Sequence, residues 1–449
     1  MRKSNIVTIS SLACAVVAAL ACGQAMASGF QIREDSIQAM ARSHAGSASD
    51  WGDAAVVANN PAAMSLFDKT TFQSDLTAID LHGTFVGGGA NALPPPGNTL
   101  LTGGNGGDVG DTTPVPAVHF ILPVGNGFTI GASLTAPFGL RTQYDPNWVG
   151  RYFALKSELK TVDFTLAGSY KINDMFSVGA SLIYQRADAE LSNAVDFGKL
   201  LYLKGAGPLG FFPQSADGTA RIKGNDSSFG WDVGFLFRPT PDTNIGLNFR
   251  SKIDHNISGH ADFNVPSNVR AVLGAAPLFL NTPAAADIST PSVWTFSVSQ
   301  KFAQDFTLSA DVERTNWNTL KGLTVTFANP AQPTSFEAFN WKNSTEYALG
   351  LDWRIDPHWT LRGGIARDNT PTNDGTRDPR LPDNNRQLYS VGLGWMPNDN
   401  VSWNIGYTRI NIDTPKIVDV NLQSSPGAVL AGQYNADANL FGVSATFHF

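Results

Sequence analysis

Apolar and polar residues alternate with a period of two along most of the chain. Phe128, Ile130, Ala132, Leu134, Ala136 and Phe138 alternate with Thr129, Gly131, Ser133 and Thr135. The same beat runs through Val162, Phe164, Leu166, Gly168 and Tyr170, and through Phe229, Trp231, Val233, Phe235 and Phe237. It returns in Tyr347, Leu349, Leu351, Trp353 and Ile355, and at the C-terminus in Phe441, Val443, Ala445, Phe447 and Phe449. Successive strand side chains point to opposite faces, so each segment sets one face in apolar surroundings and the other in polar ones. Candidate strands fall near 70–85, 113–123, 127–138, 157–173, 175–190, 226–239, 242–260, 290–303, 305–328, 340–356, 358–369, 386–397, 399–413 and 437–449, fourteen in all.

The connections alternate in length. Long ones run about 86–112, 139–156, 191–225, 261–289, 329–339, 370–385 and 414–436, and tight turns such as Gly125-Asn126, Asn173-Asp174 and Asp356-Pro357 lie between them. An even strand number, short turns on one side and long loops on the other predict an all-β, fourteen-stranded antiparallel transmembrane barrel of the outer-membrane type. A soluble sandwich shares the alternation but not this asymmetry. Trp353, Trp359, Trp395 and Trp403 lie close to short turns, as an interfacial girdle requires. The terminal Phe449 suits a signal read by barrel-insertion machinery.

Composition sharpens this. Charged residues make only 15% of the 449, against roughly 25% in soluble domains, while hydrophobic residues reach just 42%. A charge-poor chain without extra core needs an apolar environment for its surface. The net charge of −7 and the absence of a basic block argue against a nucleic-acid partner. Met1-Arg2-Lys3, the apolar run Leu12 to Cys22 and Ala25-Met26-Ala27 read as a secretory signal peptide over 1–27. Both cysteines, Cys14 and Cys22, fall inside it; a lipoprotein reading of Cys22 is the weaker alternative, since Ala19 stands where a large aliphatic belongs. No later stretch reaches the roughly 20 apolar residues of a spanning helix. The segment 28–69 lacks the period-two pattern and is expected to plug the lumen of the barrel at 70–449, because a barrel this wide cannot be filled by side chains alone.

Candidate chemistry is sparse. None of the seven histidines is followed by Ser two residues on, and the adjacent Asp254 and His255 point to opposite strand faces. Neither an enzyme nor a cofactor or metal site is expected. The Asp/Asn-rich stretch 368–385 reads as solvated loop polarity rather than a calcium site. Two loops are unusually apolar. The first carries Leu200, Leu201, Leu203, Leu209, Phe211 and Phe212, and the second Leu278, Phe279 and Leu280. Packing on each other as a lid and trapping an apolar ligand are both compatible with such clusters.

The start Ser28-Gly29-Phe30-Gln31-Ile32, the motif Asn60-Pro61-Ala62-Ala63-Met64 and Phe67-Asp68 are followed by Gly131-Ala132-Ser133-Leu134 with Phe138-Gly139-Leu140. Gly364-Ile365-Ala366, Asp368 and Leu381-Pro382-Asp383 complete the set. Together these resemble the FadL-type outer-membrane transporters over the whole mature chain. The resemblance implies a monomeric barrel with an N-terminal hatch, embedded among outer-membrane lipid and lipopolysaccharide. It also implies passive uptake of long-chain fatty acids or other hydrophobic molecules, caught by the apolar extracellular loops. Phe30, Asn60, Pro61 and Ala62 would gate the lumen, and an inward kink of the third strand at Pro137, Phe138 and Gly139 would release the ligand sideways into the membrane. Arg186, Lys204, Arg314 and Lys321 are the candidate carboxylate partners, whereas Leu191 and Thr324 stand roughly where the family's basic residues are expected. Fatty acid and neutral or aromatic hydrocarbon therefore both stay open as ligands. A general porin for small polar solutes is the alternative.

Overall fold

The computed structural model describes residues 29–91 and 99–449; the leader expected over 1–27 lies outside them. Fourteen chain passes form one closed antiparallel barrel. They are β1 (Thr71–Asn91), β2 (Thr112–Gly125), β3 (Phe128–Thr135 and Gly139–Gln143), β4 (Lys156–Lys171) and β5 (Phe176–Asp196). Next come β6 (Asp217–Thr240), β7 (Thr243–Arg250 and Ile253–Asn264), β8 (Thr282–Thr290 and Val293–Phe302) and β9 (Phe306–Thr315 and Gly322–Phe327). The last are β10 (Ser335–Ala338 and Ser344–Arg354), β11 (Trp359–Asp368), β12 (Arg386–Asn398), β13 (Val401–Ile412 and Lys416–Asn421) and β14 (Ala428–His448). β1 closes the ring against β14 in unbroken register, from Thr71 opposite His448 to Asn91 opposite Ala428. Closure joins the first and last strands, so wall strands find backbone partners without water except beside the break in β3.

The period-two pattern sets the two faces. Outward residues such as Leu182, Phe229, Trp231, Ile365 and Phe441 are exposed on the outer wall. Their inward neighbours Ser181, Ile183, Asp232, Ala366 and Leu440 are buried. Trp353, Trp359, Trp395 and Trp403 lie on the outer face beside the short turns, and Trp359 and Trp395 stack with ring centroids 6.0 Å apart. Several strands are longer than the alternation suggested. β6 starts at Asp217 rather than near 226, because its first residues rise out of the apolar band, where both faces are polar and the contrast disappears. The third strand also departs from its expected span over 127–138. It breaks after Thr135 and resumes over Gly139–Gln143, within a stretch expected to be loop.

Residues 29–70 fill the lumen through short helical turns at Ile37–Met40, Val56–Asn59 and Pro61–Leu66. The inner wall leaves room for them. A Cβ on Gly234 would sit 2.0 Å from Asn60 Oδ1, and one on Gly364 would sit 2.1 Å from the Arg42 backbone. Polar wall residues satisfy the hatch backbone. Asp311 accepts from the Gly46 N–H (2.6 Å), the Ser47 N–H (3.2 Å) and the Ser47 hydroxyl (2.6 Å), while Asp75 accepts from the Ile37 N–H (3.0 Å). Ion pairs tie Arg33 to Glu313 (3.2 Å) and Glu346, and Arg42 to Asp50 and Asp352 (3.1 Å). Such charge-assisted contacts are the strong class of hydrogen bond, so the hatch is bolted to the wall rather than loosely inserted.

Candidate functional site

Above the hatch lies an apolar cavity with about 950 Å³ of empty space. Strand alternation builds it from inward aliphatic residues: Leu140 on β3, Leu159 on β4, Leu191 on β5, Ile222 on β6, Ile257 on β7, Ile288 on β8 and Leu323 and Val325 on β9. Phe30 forms its base, and Leu320, Phe339 and Trp341 close one side. The loop between β11 and β12 caps it with Thr372, Thr376, Arg377, Asp378, Arg380 and Leu381.

Four aromatic rings cluster between this cavity and the break after Thr135. Phe30 packs edge-on against Trp317 at 4.6 Å and Phe138 at 6.1 Å, and Trp317 meets Trp341 at 5.1 Å. Beyond Phe138 lies a second, more polar cavity of about 790 Å³, lined by Arg33, Asp35, Arg250 and Glu313 and by the wall residues Val115, Pro116, Ala117, Thr135, Ala136 and Pro137.

Register explains the second cavity. β3 pairs with β2 only from Leu134 opposite Val118 down to the turn, whereas Gly139–Gln143 pairs with β4 alone. Above Val118, β2 has a ladder only with β1. The backbone at 136–138 instead turns to the hatch: the Ile32 N–H donates to Pro137 O and the Gly139 N–H to Phe30 O, both at 2.8 Å. On the opposite side, Thr161 Oγ1 accepts from the Phe138 N–H at 3.0 Å. Pro114 and Pro116 remove two donors from β2 beside the gap, which suits a strand edge without a partner. Pro137, Phe138 and Gly139 thus lie at a break in the wall, with Gly139 close-packed on Ile32.

The hatch motif acts as a turn and a clamp. Asn60 Oδ1 accepts from the Ala62 N–H at 3.2 Å, and Asn60 Nδ2 donates to Ala48 O (2.7 Å) and Phe235 O (3.1 Å). Pro61 opens the following helical turn, where its missing N–H costs nothing. Asn60, Pro61 and Ala62 are buried against β5–β7 and do not line the apolar cavity, whereas Phe30 does.

The apolar loop residues form a separate cluster further out. Leu201 and Phe211 are buried with Val269, and Leu200 and Phe279 pack on them; Phe279 meets Phe197 edge-on at 4.9 Å. Leu203, Leu209, Phe212 and Leu280 stay exposed, and Leu278 is half-buried. None of the nine lines the cavity.

The four candidate cations require correction. Arg186 and Arg314 occupy outward strand positions, pairing with Asp188 (2.9 Å) and Thr345 (2.8 Å), and Lys204 and Lys321 are exposed. Successive strand residues alternate faces, and the register of β5 and β9 sets Arg186 and Arg314 on the outer one. The cations at the cavity are Arg377 and Arg380, in a loop with no periodicity to reveal them. Trp317 and Trp341 were also missed, although both stand among polar residues far from the short turns, where a girdle has no use for them.

Asp378 stands 3.6 Å from Arg380, and Glu337 and Asp419 feel the charge of both. Burial, with Asp378 and Asp419 nearby, pushes Glu337 up to about 8. Burial with Asp378 nearby pushes Asp419 up to about 7, and burial also raises Asp378, with Arg380 opposing. Among the described residues no cluster of three or more His, Cys, Asp or Glu side chains could hold a metal ion.

A hatch-filled barrel with an outward apolar band and an internal apolar cavity is an outer-membrane channel protein by construction. A family model described as "Outer membrane protein transport protein (OMPP1/FadL/TodX)" matches residues 18–449, and the chain belongs to that family. It is 26% identical to a long-chain fatty acid transport protein of Escherichia coli O6:H1, with 100% of both chains covered. It is also 26% identical to outer membrane protein P1 of Haemophilus influenzae, covering 96% of this chain and 97% of that one. Among solved structures, a Pseudomonas aeruginosa FadL homologue superposes with a TM-score of 0.84 at 27% identity, covering 94% of this chain and 100% of the other. The Ralstonia pickettii toluene transporter TbuX matches with a TM-score of 0.64 at 18% identity over 94% of this chain and 99% of that one, a likeness of fold.

Proposed function

We propose that this protein is a passive outer-membrane channel for long-chain fatty acids or other hydrophobic small molecules, with no catalytic role. The exposed Leu203, Leu209, Phe212 and Leu280 capture the ligand, the apolar cavity holds it, and the break in β3 releases it sideways into the membrane. The observation that carries this reading is the pair of cavities separated by the rings of Phe30, Phe138, Trp317 and Trp341. Burying an alkyl chain gains about 0.8 kcal/mol per methylene, so an aliphatic cavity needs no specific polar contact to fill. A ligand of that kind gains little by entering the aqueous periplasm, and a lateral exit keeps it apolar throughout. The names of the relatives, fatty acid and toluene transporters, agree in ligand chemistry. We further infer a monomer held among outer-membrane lipid and lipopolysaccharide by its apolar outer band.

Uptake by whole cells lacking their own transporter tests the reading, with radiolabelled palmitate, hexadecane and toluene compared against glucose. Expression is expected to raise hydrophobic uptake severalfold and leave glucose flux unchanged. Preferential glucose flux would make the chain a general porin instead.

A further inference from the structure

The two cavities offer a polar head different surroundings. The apolar cavity is walled mainly by aliphatic carbon, and the side-chain donors of its cap are committed. Arg377 Nε donates to Asp383 O at 2.9 Å, and its Nη1 pairs with Asp374 at 2.7 Å. Arg380 Nη2 donates to Phe153 O at 2.6 Å and its Nη1 to Ser157 Oγ at 3.2 Å. The hydroxyls of Thr372 and Thr376 donate to Asp383 O (3.0 Å) and Phe339 O (2.6 Å). A head buried there gives up its hydration without gaining one of these donors, and an unpaired polar group in apolar surroundings is costly.

The second cavity, past the Phe138 ring, is lined by polar side chains. Its two acids are already satisfied. Glu313 accepts from Gln31 Nε2 (2.8 Å) and Thr295 Oγ1 (3.0 Å) and pairs with Arg33 (3.2 Å), and Asp35 accepts from Asn59 Nδ2 at 3.1 Å. Arg250, on β7, is the exception. A guanidinium carries five N–H donors; here Nη2 pairs with Asp163 Oδ2 at 2.5 Å, and no other hydrogen bond from this group is formed among the described residues. Asp163 is fully buried, whereas 13% of the Arg250 side chain remains accessible and lines the cavity. The buried Asn248 lines the same space with its Oδ1 unpartnered among the described residues. The Arg250 guanidinium carbon lies 5.9 Å from the Phe138 ring centroid, and Phe138 lies 6.1 Å from Phe30, the base of the apolar cavity. A long alkyl chain that passes the rings therefore occupies both cavities at once.

We propose that the second cavity is a head-group site. An alkyl chain with an oxygen head of the carboxyl, hydroxyl or ester kind lies with that oxygen accepting from Arg250 and its tail in the apolar cavity. The assignment rests on the apolar cavity being the ligand site of the channel proposed above. It also fixes the direction of travel: the head leads past the rings toward the gap beside β2, and the tail follows. The opposite orientation leaves the head among committed donors at the cap and sets methylenes against the polar lining around Arg250.

Position-resolved photocrosslinking reads the orientation directly. The purified full-length protein in neutral-lipid nanodiscs is irradiated with octadecanoic acid carrying a diazirine beside the carboxyl group, and separately with the isomer carrying it at the methyl end. Crosslinks that excess unlabelled acid competes away are mapped by mass spectrometry. The head-end probe is expected to mark Thr135 to Pro137 and Asn248 to Arg250, and the methyl-end probe Leu191, Ile288 and Leu323. The Arg250→Met/Asp163→Asn double variant leaves no unpaired charge behind, and its assembly is checked by heat-modifiable mobility. It is expected to lose at least fivefold of the head-end crosslinks in the second cavity while the methyl-end crosslinks persist. Head-end crosslinks at the cap over 372–381, equal marking of both cavities by both probes, or undiminished head-end crosslinks in the double variant would each overturn the proposal. If neither probe gives competed crosslinks in either cavity, the channel reading itself fails, a different result from a reversed orientation.

Discussion

Asp311 ties the hatch to the wall through a single carboxylate that satisfies two backbone donors and a hydroxyl from Gly46 and Ser47 and also accepts from Ser297 Oγ at 2.5 Å. Replacing it by Ala leaves buried N–H groups without acceptors, a loss of about 1–3 kcal/mol for each group. Asp311→Ala is expected to speed amide exchange over residues 43–49 by one to two orders of magnitude and to raise single-channel conductance in planar bilayers. Unchanged exchange there would show that the wall contacts of Arg33 and Arg42 suffice. At the gate, Phe138→Ala removes the ring between the two cavities. It is expected to accelerate hydrophobic uptake without weakening the quenching of Trp341 fluorescence by a brominated alkane, and slower uptake by this variant would reject the aromatic partition as a barrier.

At the scale of elements, the third strand decides what the barrel can do. Its lower half follows the ladder and its upper half follows β4, so β2 keeps a bare edge above Val118. Bare edges recruit partners unless blunted, and Pro114 and Pro116 blunt this one by removing donors. The Pro114→Thr/Pro116→Thr variant restores both. It is expected to promote pairing across the gap, lowering uptake by tenfold or more while a brominated alkane still quenches the fluorescence of Trp341 in the cavity. Normal uptake would exclude this gap as the exit. At the mouth of the barrel, the sign of the pH response follows from the raised carboxyls of Glu337 and Asp419. A raised folded-state value means that stability is present at low pH and lost as pH rises through it. The strand ends carrying Glu337 on β10 and Asp419 on β13 are therefore expected to resist external protease better at pH 6 than at pH 9, and Glu337→Gln should flatten that difference.

For the whole molecule, closure joins the two ends of the barrel wall. β1 and β14 zip together from Thr71–His448 to Asn91–Ala428, and the Phe449 N–H extends the ladder to Thr70 O at 2.9 Å. Assembly and stability separate here. Deleting Phe449 is expected to lower the fraction of heat-modifiable, assembled protein without shifting the unfolding temperature of the molecules that do assemble, as read by mobility on unboiled gels. A matching drop in unfolding temperature would assign Phe449 a structural role instead.

Strand number, the two-sided asymmetry of the connections and the lipid-facing band were determined by the sequence itself, because alternation against lipid writes one apolar residue in two. The hatch was legible by the lack of that pattern, and Phe30 by its resemblance to a family motif. Where strands rise above the band the signal fades, so the alternation marks β6 only from about 226 and marks no strand over Gly139–Gln143. Only the tertiary structure brought Phe30 together with Trp317, Trp341 and Phe138, residues separated by long stretches of chain. It also turned Arg186 and Arg314 outward and placed Arg377 and Arg380 at the cavity. Those outcomes depend on strand phase and on loops folding back over the barrel mouth, and neither leaves a periodic trace in the chain.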